Sequence, residues 1–159
     1  MPLALAASDD AWETAQARYD AALAACFEKY DASDASTCIG TVVATCDADH
    51  DQPGTTLAIA DCHLAEAAGW ERLMNAEFDR VLAQAQNSDA YYRQHGENWT
   101  GAEAALRAAQ DAWDAFRVAQ CGYAYAHWGS GSMRVIASAA CQRDMFAERA
   151  MALSALAEE

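Results

Sequence analysis

Gln110-Asp111-Ala112-Trp113 opens the stretch that decides the fold; it continues through Arg117 and Cys121 to Trp128-Gly129-Ser130-Gly131-Ser132 and closes at Cys141. Gln110, Trp113, Arg117, Cys121 and Ala124 follow one another at three- and four-residue steps, which places them on one side of a helix. Gly129 and Gly131 then interrupt the helix, because a residue without a Cβ enters tight or left-handed turns at little steric cost. A second helical pattern starts near Ser132 and carries Cys141 about two and a half turns in. Helices joined by a short loop lie antiparallel, so Cys121 and Cys141 are expected to face each other across a disulfide-closed helical hairpin.

Outward from this hairpin, the chain reads as helix almost throughout. Among 159 residues only Pro2 and Pro53 are prolines, and alanine is abundant. Ser8 is a candidate cap for a first helix, with Asp9, Asp10 and Glu13 in its opening turn. Trp12, Ala15, Tyr19, Leu23, Cys26, Phe27 and Tyr30 form that helix's apolar stripe, and the polar residues 31–36 should end it. Cys38–Gly54 is read as an irregular segment, since Ile39-Gly40-Thr41-Val42-Val43 fits a strand or a helical turn equally well. Asp47-Ala48-Asp49-His50-Asp51 lacks the glycine and the twelfth-position glutamate of a calcium loop and is read as solvated.

Thr55 or Thr56 should cap the second helix, with Leu57, Ala60, Leu64, Ala67, Met74, Phe78, Val81 and Ala85 on its core face. Residues 96–99 read as a linker, and Thr100-Gly101-Ala102-Glu103 as a capping box for the third helix, which uses Leu106, Trp113, Phe116 and Tyr123. Met133, Ile136, Ala140, Phe146, Ala150 and Leu153 mark the fourth. The expected fold is therefore all-α: a disulfide-stapled bundle of about four helices, with an irregular segment between the first and second. Residues 8–159 are read as a single domain; in residues 1–7, Leu3-Ala4-Leu5-Ala6-Ala7 looks like a signal-peptide tail or an apolar tip.

Cys26, Cys38, Cys46, Cys62, Cys121 and Cys141 form an even set that allows 15 pairings. Without a Cys-x-x-Cys pair, neither a zinc knuckle nor a thioredoxin-type redox site is indicated, and three disulfides in an oxidising compartment are expected. Beyond Cys121–Cys141, nearest neighbours are preferred, Cys26–Cys38 and Cys46–Cys62, because each closes a short loop beside a helix end; a Cys38–Cys62 link would displace both. Formal net charge is −14, and residues 1–61 carry −9 of it against Arg18 and Lys29 alone. Such a surface repels nucleic acid and attracts cationic partners. No apolar run approaches the ~20 residues of a membrane span.

No acid–base–nucleophile set assembles, so the chain is read as a non-enzyme without a cofactor. His63 and Glu66 share a helix face, but helical di-metal sites use the reverse order and a second copy, so no metal is assigned. Gln110, Trp113 and Arg117 are the best polar-aromatic set; the structural reading places Trp113 in the core and Arg117 on an aromatic face or against a carboxylate such as Glu66. Asn75 is expected to join them as a buried hydrogen-bonding residue.

The spacing Gln110-x-x-Trp113-x-x-x-Arg117-x-x-x-Cys121, the loop with Gly129 and Gly131, Cys141 and the terminal Arg149-Ala150-x-x-Leu153 resemble the secreted bacterial LprI-like family, named for a lysozyme inhibitor. Upstream, Cys38-Ile39-Gly40, Cys46, Cys62, Glu66, Trp70, Met74-Asn75 and Phe78 resemble its first half. The chain departs from the pattern at Val118, where the family carries an acid, and at Met74 and Phe78, where it carries Leu and Tyr. The resemblance implies a periplasmic or secreted bacterial protein that binds and inhibits a cationic lysozyme by occluding its cleft. Ser130, Ser132 and Arg134 are the candidate binding loop, since hydroxyls or a guanidinium there can reach cleft carboxylates. The alternative is a cell-envelope interaction domain whose partner is another exported protein.

Overall fold

The computed structural model describes residues 4–30, 34–96 and 101–157, with side chains from Ala11 onward. Five α-helices follow in order: α1 (Ala4–Lys29), α2 (Thr41–Asp49), α3 (Thr56–Gln94), α4 (Ala102–His127) and α5 (Met133–Ala157). A short 3-10 turn, Ala35–Cys38, links α1 to α2, and no strand occurs among the described residues. The all-α expectation holds, with one helix more than the four expected, because the segment read as irregular folds into α2. The Ile39–Val43 run is the entry to that helix; its apolar side chains meet a core already closed on either side by Cys38 and Cys46.

The spine is α3, whose 39 residues span about 58 Å. It packs most heavily on α5 and also contacts α1, α2 and α4. Antiparallel α4 and α5 form the hairpin, held by Cys121–Cys141 with a Cα separation of 5.5 Å. Cys26–Cys38 fastens the end of α1 to the 3-10 turn at 5.9 Å, and Cys46–Cys62 fastens α2 to α3 at 5.5 Å. No free cysteine remains. Tyr19, Leu23, Phe27, Val42, Trp70, Met74, Phe146 and Leu153 share one core, with Phe27 edge-on to Trp70 at 5.7 Å. Gly69 lets α1 close on α3, since a Cβ there would lie 2.9 Å from Leu23.

Two helices begin without a cap of their own. α2 and α4 both start behind a glycine at positive φ, Gly40 (90°) and Gly101 (85°), and neither has a side-chain cap bond. Each receives a carboxylate from α3 instead. Fully buried Glu66 accepts from the amides of Gly40 (2.6 Å), Val42 (2.9 Å) and Val43 (3.0 Å), and from Trp70 Nε1 at 3.2 Å. Asp89 accepts from the amides of Ala102 (2.7 Å) and Glu103 (3.1 Å). A carboxylate suits a helix start because the unpaired amides and the helix dipole both favour negative charge there. Asp89 thus takes the role expected of the capping box: Glu103 turns to Gln86 and Arg107, while Thr100 and most of the expected linker lie outside the described residues.

Other sequence expectations are corrected. α1 starts at Ala4, so Ser8 lies inside it; it ends at Lys29, and residues 31–33 of the polar stop lie outside the described residues. Thr55 does cap α3, accepting from the amide of Ala58 at 3.2 Å. Leu57 and Leu64 are solvent-exposed, because the core face of α3 is set by Cys62, Glu66, Trp70 and Met74, which lie on another side of the helix. Trp12, Phe116, Tyr123 and Met133 are also exposed.

Glu66→Ala would leave the buried Val42 amide and Trp70 indole N–H, and the part-buried Gly40 and Val43 amides, without their acceptor. At 1–3 kcal/mol for each unsatisfied group, the variant should lose at least about 3 kcal/mol. Chemical unfolding measures this, and Glu66→Gln, which keeps one carbonyl oxygen, should lose less. Asp89→Ala, at a half-exposed helix start, should lose only about 1 kcal/mol.

Candidate binding surface

The motif residues of α4 point inward as their spacing requires. Gln110, Trp113, Arg117 and Ala124 are half-buried and Cys121 is buried, while the residues between them are exposed. With α5 they build an interleaved ladder. Arg117 places its guanidinium 4.5 Å over the ring of Phe146; Phe146 lies 5.8 Å from Trp113; Arg149 lies 5.8 Å over Trp113. Arg149 Nε then donates to Gln110 Oε1 at 2.9 Å, and Gln110 Nε2 reaches Met74 Sδ on α3 at 3.5 Å. Burial pulls the Arg149 guanidinium below its ordinary pKa.

Successive rungs come from α4 and α5 in turn, so cation–π contacts fix the register that Cys121–Cys141 closes. Arg117 pairs with Asp114 at 2.8 Å and not with Glu66, whose oxygens are held at the start of α2. Asn75 is exposed and takes no part, a correction to the expected buried role, because the side of α3 facing the hairpin is occupied by Met74. Glu66 and Trp70 belong to the core beneath α2.

The hairpin turn is the part of this unit left to solvent. Gly129 has φ 55°, Gly131 donates to Trp128 O at 3.0 Å, and Trp128, Ser130 and Ser132 are exposed. Among the described residues neither serine hydroxyl has a partner. Arg134 lies 5.2 Å over Tyr125, with Nη1 directed at Gly129 O at 3.4 Å. Tyr123, His127 and Trp128 follow one another at ring distances of 5.8 and 6.1 Å. The aromatic character of this tip was missed in the sequence reading, although Val118–Met133 contains no Asp, Glu, Lys or Arg. A separate groove between α1 and the end of α2 is lined by Trp12, Tyr19, Asp49 and His50; Asp49 is engaged by Arg18 and Tyr19, and His50 approaches Asp61 at 3.6 Å.

Among the described residues no group of His, Cys, Asp and Glu is placed to hold a metal. His63 Nδ1 accepts from Arg143 Nη1 at 3.0 Å, an arrangement open only to the neutral ring. Burial, then the Arg143 charge, lower the His63 pKa from 6.5, opposed by Glu66 and Asp144. No described helix is long and apolar enough to cross a membrane.

A depressed imidazole pKa contributes stability that is present above the unfolded value and is lost as pH falls from there through the folded value. Unfolding free energy should therefore drop as pH falls below the ordinary imidazole value of 6.5, and His63→Gln should flatten that drop. Equal slopes in wild type and variant would contradict the assignment. In the ladder, Trp113→Ala should cost about 3–5 kcal/mol of stability, measured by the same unfolding experiment.

No curated protein and no solved structure is significantly similar to the chain. The model of the family described as "Lysozyme inhibitor LprI" matches residues 46–153, a span that includes α3, the Arg117–Phe146–Trp113–Arg149 ladder and the hairpin turn. With more than half its length matched, the chain belongs to the LprI lysozyme-inhibitor family.

Proposed function

We propose that the protein is an exported inhibitor of lysozyme-type muramidases and that it binds its target through the α4–α5 turn. Family membership supports the target class. The observation that carries the choice of surface is the tip itself: exposed Trp128, unpartnered Ser130 and Ser132 hydroxyls, and Arg134 braced on Tyr125, all standing on a hairpin locked by a disulfide. Tryptophan, tyrosine and arginine dominate the energetics of protein interfaces, and a braced turn loses little entropy on binding. A convex turn suits a concave glycosidase cleft, whose two carboxylates can accept from serine hydroxyls or a guanidinium. Three disulfides with no free cysteine favour the periplasm or the cell exterior. The net charge of −14 favours encounter with a cationic enzyme.

Turbidity clearing of cell walls by a cationic lysozyme tests this directly. Inhibition should be strongest at low salt and should weaken as the Debye length falls from about 10 Å at 0.1 M to about 3 Å at 1 M. Trp128→Ala should weaken inhibition by about 2 kcal/mol in binding, roughly thirtyfold. Ser130→Ala with Ser132→Ala should weaken it less, and all three substitutions should leave the melting temperature unchanged. Absence of binding at low salt would instead favour the envelope-interaction reading, in which the partner is another exported protein.

A further inference from the structure

With nine residues, α2 ends at Asp49 and covers only part of α1. Trp12 shows the consequence. It lies on the same side of α1 as buried Tyr19, yet it stays 43% exposed. Its side chain, with that of His50, is shared by two depressions open to solvent. One, of about 390 Å³, lies between α1 and the end of α2, against Ala15, Tyr19, Asp49 and Asp51. The other, of about 470 Å³, lies between α1 and the start of α3, against Asp61, Leu64, Ala65 and Ala68. Both fall within the roughly 300–1,000 Å³ of small-ligand sites.

The walls of these depressions carry one sign of charge. They hold three aspartates and neither a lysine nor an arginine. Asp49 is taken by Tyr19, whose hydroxyl donates at 3.1 Å, and by Arg18 from outside the groove. The Gln52 amide donates to His50 Nδ1 at 3.2 Å, which leaves the proton of the neutral ring on Nε2, facing Asp61 at 3.6 Å. That separation is too long for a strong hydrogen bond, and half of the Asp61 side chain is exposed. Asp51 is exposed and makes no bond among the described residues. Asp51 and Asp61 therefore present open carboxylates on either side of an exposed indole.

We propose that this groove binds an arginine-bearing segment of a basic protein, laid across Trp12 with a guanidinium entering each depression. An indole face attracts a cation, and a planar guanidinium can stack on it while pairing with a carboxylate at two points. Asp51 offers that pairing in the first depression and Asp61 in the second. Ala15 in one, and Leu64, Ala65 and Ala68 in the other, can take the methylene stems. A neutral segment would desolvate the aspartates without pairing them, which selects against it. The field of residues 1–61, which hold −9 of the net charge, draws in the same cationic occupant. Trp128 and its turn supply no residue to the groove, so the inference is independent of what the turn binds.

Titration of the full chain with acetyl-Arg-Ala-Arg-amide at about 50 mM salt, followed by heteronuclear NMR, tests it. The Trp12 indole N–H, assigned by its loss in Trp12→Phe, should shift saturably with a dissociation constant on the order of 1 mM. Asp51→Asn with Asp61→Asn should raise that constant at least about tenfold. Trp12→Ala should raise it about three- to fivefold. The same peptide with citrulline for arginine, which keeps the shape and loses the charge, should not bind. Asp79→Asn removes an exposed charge about 22 Å farther along α3 than Leu64 and should change the constant less than about twofold. All four positions are exposed or partly so, and helical circular dichroism should be unchanged in every variant. Absence of a saturable Trp12 shift overturns the proposal. Equal binding of the citrulline peptide overturns it in favour of an apolar occupant. A constant raised as much by Asp79→Asn as by the paired groove substitutions overturns it in favour of diffuse attraction to the acidic surface.

Discussion

A buried carboxylate on the long helix α3 holds the start of α2 against it. Glu66 is fully enclosed, yet each of its oxygens has donors: Gly40 and Trp70 on one, Val42 and Val43 on the other. Burying an ion is costly unless it is well hydrogen-bonded, and here the bonds come from a helix start whose amides would otherwise be unpaired. With nine residues, α2 is too short to persist alone. It exists because Glu66 satisfies its start, Cys46–Cys62 ties its last turn to α3, and Val42 enters the core. The same device recurs at Asp89 and α4, so one helix sets where two others begin.

That arrangement explains what the sequence conveyed and what it withheld. The seam Gln110, Trp113, Arg117, Cys121 was legible because large or polar residues stand out at helical spacing against an alanine background. The Thr55 cap was legible because its partner, Ala58, is three residues away. The Glu66 and Asp89 caps bridge 24 and 13 residues to Val42 and Ala102, and no local pattern marks a carboxylate as the cap of another helix. Without that knowledge, Ile39–Val43 remained ambiguous between strand and helix. In α3, alanines lie on both sides, so Leu57 and Leu64 suggested a face that the buried Cys62, Glu66 and Trp70 contradict. Asn75 was misplaced for a related reason: it neighbours Met74 in sequence, but one residue is 100° of helix away.

The motif residues separate by task. Arg117, Arg149, Trp113 and Gln110 are engaged in holding α4 on α5, and their hydrogen-bonding and ring surfaces are largely occupied there. The turn they support carries side chains still available to a partner. A conformationally locked turn on a rigid hairpin is the geometry that keeps binding entropy low, which is why the disulfide and the ladder matter to the proposed inhibition although neither touches the target.

Amide hydrogen exchange at Gly40, Val42 and Val43 tests the Glu66 linkage most directly. These amides stand at the start of a short helix, where exchange is ordinarily fast. If the buried carboxylate binds α2 to α3, they should exchange only through global unfolding, as slowly as the amides around Trp70 in the middle of α3. Exchange at the rate of a frayed helix end, with the α3 amides still protected, would contradict the account.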